Sequence, residues 1–375
     1  MARLAAIGLG AGLSLGLSLG LPALAQAHPG VEGTRNLSLG SVARSSSYGT
    51  NAALLNPSNM PFSQTFAIEP IYQFGVQARR HGIGFVLMDS LNNPRLSVGL
   101  GYLVMRGSPT VSFARSSEDP TRLPADGEPT TNTELELVHV AHETFAAISV
   151  TVVKGWLAIA AKPKYQFSSL RYLDSTGVAR DAHDRLSTFG LDLSATANLS
   201  GWAAVSTTID NVIGNHPPAF TDQRALELEG AGAAEGSIDS GTVSEISDFP
   251  FAVAHGLSVF PLHHPDFSVN FDGMYDLSSF RFEDHTRVTL GGSAEFVAGP
   301  VPLRFGTLWD GRGKGKGDDR VYVAGGVAYV RPPKQGGLGV DLGVGVRQQV
   351  SGPGLGDRRE TVLSFNLGLR IRPDR

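Results

Sequence analysis

Apolar and polar residues alternate with a period of two along most of the chain, the spacing of a strand with one greasy and one polar face. In Leu338–Arg347, Leu338, Val340, Leu342, Val344 and Val346 alternate with Gly339, Asp341, Gly343, Gly345 and Arg347. In Arg287–Val297, Val288, Leu290, Ala294 and Phe296 alternate with Arg287, Thr289, Ser293 and Glu295. Thr188–Leu199, Asp266–Asp276 and Thr361–Arg372 repeat the pattern. Further strands are expected at Phe66–Gln77, His81–Ser90, Arg95–Arg106, Glu134–Val153, Trp156–Leu170, Trp202–Val212, Pro250–Phe260, Val301–Trp309 and Arg320–Val330. The sum is about fourteen, and an even count is what single-chain membrane barrels show. The runs exceed the usual five or six residues of soluble sheets and match the roughly nine to eleven that a tilted strand needs to cross a bilayer.

The connections sort by parity. Leu91–Pro94, Lys154-Gly155, Ser200-Gly201, Pro261–Pro265, Ala298–Pro300 and Arg331–Gly337 are short, whereas Gly107–Thr133, Arg171–Asp184, Ile213–Phe249, Ser278–His285, Asp310–Asp319 and Ser351–Arg359 are mostly longer. Only the link near Arg79-Arg80 departs from this order. Short turns at one rim and long loops at the other describe an outer-membrane barrel with its loops outside. The expected fold is therefore all-β, an antiparallel transmembrane barrel of residues 66–375.

The chain starts with Arg3, an apolar run from Leu4 to about Leu24, and Ala25-Gln26-Ala27. That is the layout of a secretory signal peptide over residues 1–27, with His28 as the first mature residue and the bacterial outer membrane as destination. Residues 28–65 lack sustained alternation and contain Asn56-Pro57-Ser58-Asn59, so they are expected to fold as a plug entering from the periplasmic side.

Composition narrows the chemistry. There is no cysteine, which excludes disulfides and thiolate sites. A net charge of −4 leaves no footprint for nucleic acid. The 46 glycines sit within strands and often on the polar face, where they leave lumen space or room for an inserted segment. That face also carries Asp192, Asp272, Glu295, Arg304, Asp341, Arg347 and Arg370, expected to face the lumen as a bracing network. Gly99 and Gly101 in the third strand are candidates for a lateral opening, where the ladder is expected to be weakest.

Neither a metal site nor a catalytic group emerges. His139 and His142 fall on opposite strand faces. His263-His264 sits in a turn, and Gly311–Gly317 lacks the phosphate-loop spacing. No enzyme activity and no cofactor are expected.

Three motifs, in this order, carry a family resemblance: Gly49-Thr50-Asn51-Ala52-Ala53-Leu54-Leu55-Asn56-Pro57-Ser58-Asn59-Met60; Phe189-Gly190-Leu191-Asp192-Leu193 with Ile209-Asp210-Asn211-Val212; and Gly291-Gly292-Ser293-Ala294-Glu295-Phe296 with Pro302-Leu303-Arg304-Phe305-Gly306. The chain thereby resembles the FadL-type outer-membrane transporters, including the PorV- and PorQ-like barrels of secretion systems. The resemblance implies a fourteen-stranded barrel with an N-terminal hatch that includes Asn51, Asn56, Pro57 and Ser58. It also implies passive passage of hydrophobic small molecules such as long-chain fatty acids, and contact with outer-membrane lipid and the barrel-assembly machinery. The alternative is a structural or secretion partner that binds protein through Gly107–Thr133 and Ile213–Phe249. Both loops are rich in Ser, Thr, Pro, Asp, Glu and Gly, and they lack the amphipathic helices of the family's ligand groove.

Overall fold

The computed structural model describes residues 31–77, 79–91, 93, 95–107, 110–116, 130–173, 179–214, 251–264, 266–277, 287–311, 319–331, 337–352 and 359–371. The expected signal peptide and nearly all of Ile213–Phe249 lie outside them.

One antiparallel sheet closes on itself. Its strands are β1 (Phe66–Gly75), β2 (Arg80–Asp89), β3 (Leu96–Gly107), β4 (Thr110–Ser116), β5 (Thr130–Val153), β6 (Leu157–Leu173), β7 (Ala179–Leu199), β8 (Ala203–Ile213), β9 (Ala252–Val259), β10 (Phe267–Asp276), β11 (Arg287–Ala298), β12 (Val301–Gly311), β13 (Arg320–Arg331), β14 (Leu338–Ser351) and β15 (Thr361–Ile371). Neighbours in sequence pair in register, β1 pairs with β15, and β3 pairs with β5. The segments β3 and β4 lie on the same edge of β5, against Val150–His139 and Glu136–Thr130 respectively, so they are two parts of one wall strand. The wall is thus a closed barrel of 14 strands. The segment Gly107–Thr133, expected as a loop, contains β4 and the start of β5 instead.

Burial is inverted relative to a soluble protein. Val344, Leu342, Phe365, Phe305, Ile83 and Leu100 are exposed on the outside, while Glu69, Lys162, Asp192, Glu295 and Arg347 are buried. A closed barrel satisfies every wall hydrogen bond internally, and an apolar exterior then suits hydrocarbon. Among the described residues no helix is long and apolar enough to cross a membrane. Trp156 and Trp202 stand at the short-turn rim, where their amphipathic rings fit the interface. The turn at Ser200-Gly201 has positive φ at both residues, 52° and 78°, as a tight two-residue hairpin requires.

Residues 31–65 fill the interior. They form α1 (Thr34–Ser38), α2 (Thr50–Leu55), a 3-10 turn at Pro57–Asn59 and α3 (Met60–Ser63). Helices of 4 to 6 residues are too short to persist alone, so the wall holds them in place. Inner-face glycines make room for them: a Cβ on Gly306 would strike the Leu39 carbonyl, and one on Gly326 or Gly345 would strike Ser38.

Candidate functional site: the lumen and its N-terminal segment

The N-terminal segment is bonded to the wall almost all the way round. On α1, Arg35 reaches Glu295 of β11, its Nε lying 2.9 Å from Oε2, and Thr34 pairs with Ser364 of β15 at 2.8 Å. Further along, the Arg44 backbone N–H donates to Asp272 of β10 at 2.9 Å, and the Arg44 guanidinium donates to Thr208 of β8 at 3.0 Å. Glu32 accepts from Arg347 of β14 at 2.7 Å. On α2, Thr50 donates to Glu69 of β1, while Lys162 of β6 donates to the Leu54 carbonyl at 3.1 Å.

Of the residues expected in the hatch, Asn56, Pro57 and Ser58 sit together against β7. Asn56 Nδ2 donates to the Arg44 carbonyl at 2.8 Å and to Thr196 at 3.0 Å. Ser58 Oγ donates to Asn56 Oδ1 at 2.6 Å, and the Ser58 N–H donates to Ser194 at 3.2 Å. Pro57 opens the 3-10 turn, where its missing N–H is no loss. Asn51 is buried on α2, with its side-chain oxygen beside Gly33.

Of the seven residues expected to face the lumen, Asp192, Glu295, Arg304, Asp341 and Arg347 are buried, and Asp272 and Arg370 are half-buried. Glu295 joins Arg304, Oε1 to Nε at 2.9 Å, as well as Arg35. Asp341 pairs with Arg370, and the Tyr48 ring lies between two guanidiniums, 4.5 Å from Arg35 and 5.3 Å from Arg370. Asp192 holds two ammoniums, Lys162 at 3.0 Å and Lys164 at 2.7 Å. Sequence reasoning missed Glu32, Arg35, Arg44, Tyr48, Lys162 and Lys164. A signal for the lysines was present, since Lys162, Lys164 and Gln166 occupy alternate positions of one strand.

Gly99 and Gly101 do not weaken the wall, contrary to expectation. Both pair on each side, with Met88 and Val86 of β2 and with Ala147 and Phe145 of β5. They face inward and make space for Met60 and the Phe145 ring. The ladder breaks elsewhere: at a bulge in the β7–β8 pairing, where Asp192 lies opposite Asp210-Asn211-Val212, and at two prolines, which lack the N–H. The β5–β6 pairing skips Ala146 and Ala147 opposite Lys162-Pro163, and the β1–β15 pairing skips Glu69-Pro70. On the outer face of β5–β8, one step along the strands from the break at Pro163, lies a hollow of about 540 Å³ lined by Ile148, Val150, Ile159 and Leu193.

Within the lumen a cavity of about 120 Å³ separates the N-terminal segment from the wall. Leu54, Leu55, Val42, Leu103, Met274 and Leu308 supply apolar surface, and Glu143, Asp272, Arg287 and Arg347 supply charge. His139 faces inward toward Ser168 at 2.9 Å and His142 faces outward toward Tyr102 at 2.7 Å, so they share no ligand. Among the described residues no group of three or more His, Asp or Glu side chains could hold a metal ion.

The chain matches no protein-family model and no curated protein. Solved structures do match. A FadL homologue of Pseudomonas aeruginosa is 14% identical, with 94% of this chain and 99% of that one covered at a TM-score of 0.52. The CymD monoaromatic hydrocarbon channel is 12% identical over 92% and 98%, with a TM-score of 0.58. The toluene transporter TodX of Pseudomonas putida is 12% identical over 91% and 98%, with a TM-score of 0.51. The fold is that of the FadL-type outer-membrane barrels.

Proposed function

We propose that this barrel is a passive outer-membrane transporter for compact hydrophobic molecules, with residues 28–65 as its hatch. The observation that carries the reading is the filled lumen. The N-terminal segment bonds to β1, β6, β7, β8, β10, β11, β14 and β15, and so leaves no open aqueous bore of the porin kind among the described residues. The cavity above it, at about 120 Å³, is of the order of the roughly 150 Å³ cavity that holds benzene in an engineered core. It is large enough for a small aromatic or short aliphatic molecule. Entry is driven by the hydrophobic effect at about 0.8 kcal/mol per buried methylene. The structural neighbours named as hydrocarbon channels support the same class.

The exit is sideways, because the lumen floor is dense with charge. The break at Ala146, Ala147 and Pro163 is the path this reading takes, since two ladder pairs are missing there. Uptake of radiolabelled toluene by cells that express the barrel tests the reading. Faster uptake than in empty-vector cells is expected, with octanoate and palmitate progressively worse. Uptake equal to the control, or a preference for sucrose-sized polar solutes, overturns it.

A further inference from the structure

The outer wall carries a second feature, at the long-loop rim of β2, β3 and β5. His81 of β2 lies directly opposite Arg106 of β3, and both point outward. His142 of β5 lies opposite Val104, one diagonal step from Arg106, and also faces outward. Opposed side chains on a sheet are about 5 Å apart at Cβ and diagonal ones about 7–8 Å, so the three form one patch. Arg79 is exposed in the turn beside it.

Two details set this patch apart from ordinary rim residues. The inward-facing arginines Arg35, Arg287, Arg304, Arg347 and Arg370 each hold a carboxylate, whereas Arg106 has no ion-pair partner among the described residues. In addition, both imidazoles are oriented from behind by tyrosine. The Tyr72 hydroxyl lies 2.8 Å from His81 Nδ1 and the Tyr102 hydroxyl 2.7 Å from His142 Nδ1. A phenol that donates to Nδ1 leaves the proton on Nε2, a donor suited to a phosphate oxygen. Aromatic rings wall the histidines on the apolar side, Phe74 at 5.0 Å from His81 and Phe167 at 5.8 Å from His142. Arg331, at the opposite rim, is exposed without any such surround.

Height selects the occupant. Arg106 stands ten residues above Leu96 at the short-turn rim. At about 3.3 Å per residue and a tilt near 40°, that is roughly 25 Å, the height of the apolar band of such barrels. The patch therefore lies where outer-leaflet headgroups begin, and basic clusters at that depth recognise anionic headgroups. We propose that His81, Arg106 and His142 form a binding site for a phosphate of the phosphorylated glycolipid of the outer leaflet. The inference rests on the outer-membrane orientation given above.

Native mass spectrometry of the full refolded chain in micelles tests it, with bisphosphorylated lipid A as probe beside the same lipid dephosphorylated. One retained lipid A is expected, with occupancy falling at least about tenfold for the dephosphorylated lipid and for Arg106→Gln, and less for Arg106→Lys, which keeps the charge. Equal retention of both lipids overturns the proposal. So does unchanged retention by Arg106→Gln, or displacement of the lipid by equimolar inorganic phosphate, which would mark a free-anion site. If Arg106→Gln does not fold, the comparison of the two lipids on the unaltered chain decides. Orientation is read separately: a Lys154→Cys variant, in a chain with no other cysteine, should resist an impermeant maleimide on whole cells. Labelling there would overturn the topology without touching the micelle result.

Discussion

Arg35 in the N-terminal segment and Glu295 on β11 form a two-pronged ion pair inside the barrel, and Arg304 of β12 binds the second oxygen of the same carboxylate. One glutamate thus bridges two buried cations, one on the inserted segment and one on the wall. Taking two charges from water is costly, and the pair alone is weak evidence for stability. Breaking it is another matter, because a buried guanidinium is left without a counter-ion.

Glu295→Gln should therefore loosen the N-terminal segment. The expected cost is about 3–5 kcal/mol, the usual loss when one member of a buried pair is removed. The barrel ladder is untouched by the change, so the strands should still assemble. Planar-bilayer recording checks this: brief openings absent from the unaltered chain are expected, and a silent trace identical to it would show that the pair does not hold the segment.

Close backbone approach gives a second handle. Gly306 of β12 faces the Leu39 carbonyl and the Gly40 nitrogen, and both are backbone, so neither can rotate away from an added methyl. Gly306→Ala should displace α1 at a cost of about 1–3 kcal/mol, as overpacking does. Limited trypsin treatment of the folded barrel is the measurement, with new cleavage after Arg35 or Arg44. Gly299→Ala, in an open turn where a Cβ meets nothing, serves as a control for handling but carries its own backbone strain at φ 63°.

The strands were legible because lipid enforces the pattern that was read. Each crossing must present an apolar face outward and tolerates polar groups mainly inward, so period two survives where the strands cross. Where that constraint ends, legibility ends with it. β7 starts at Ala179 rather than near Thr188, and its added residues include Arg180, Asp181, Asp184 and Arg185, with no greasy alternation. β4 carries no such pattern either, so its residues read as loop. The inward charges were legible for their face but not for their partners, because pairing Arg35 with Glu295 spans 260 residues that no local pattern relates. The glycine reading failed for a physical reason. A glycine removes a side chain and keeps its N–H, so Gly99 and Gly101 preserve the ladder, whereas Pro70 and Pro163 interrupt it. Both prolines were visible in the sequence.

The greasy exterior makes a direct prediction. Val344 of β14 is 45% exposed and lies near mid-height of its strand, flanked by Val327 and Phe365 on neighbouring strands. Val344→Arg should cost about 2–4 kcal/mol if that face meets hydrocarbon. Urea titration of the protein folded into phospholipid vesicles reads the difference. An unchanged midpoint would mean that this face is wet or covered by protein.

The break at Pro163 allows the most incisive test of the transport path. Register places Ala146 opposite Pro163, since Phe145 pairs with Lys164 and Ile148 with Ala161. Neither pair between them forms, so the wall at this level rests on side-chain packing and on the ladders above and below. A disulfide from Ala146→Cys with Pro163→Cys would close the gap covalently, and it can form without competition because the chain has no cysteine. Oxidised, the variant should lose most toluene uptake while its folded band on unheated gels is retained, and reduction should restore uptake. The cysteine pair also replaces proline by residues that own an N–H, so part of the ladder can re-form even when reduced, and the restored rate should fall short of the original by about two- to fivefold, the equivalent of one hydrogen bond of 0.5–1 kcal/mol. Uptake that is indifferent to the redox state would move the exit away from β5 and β6 and leave the break at Pro70, between β1 and β15, as the place to staple next.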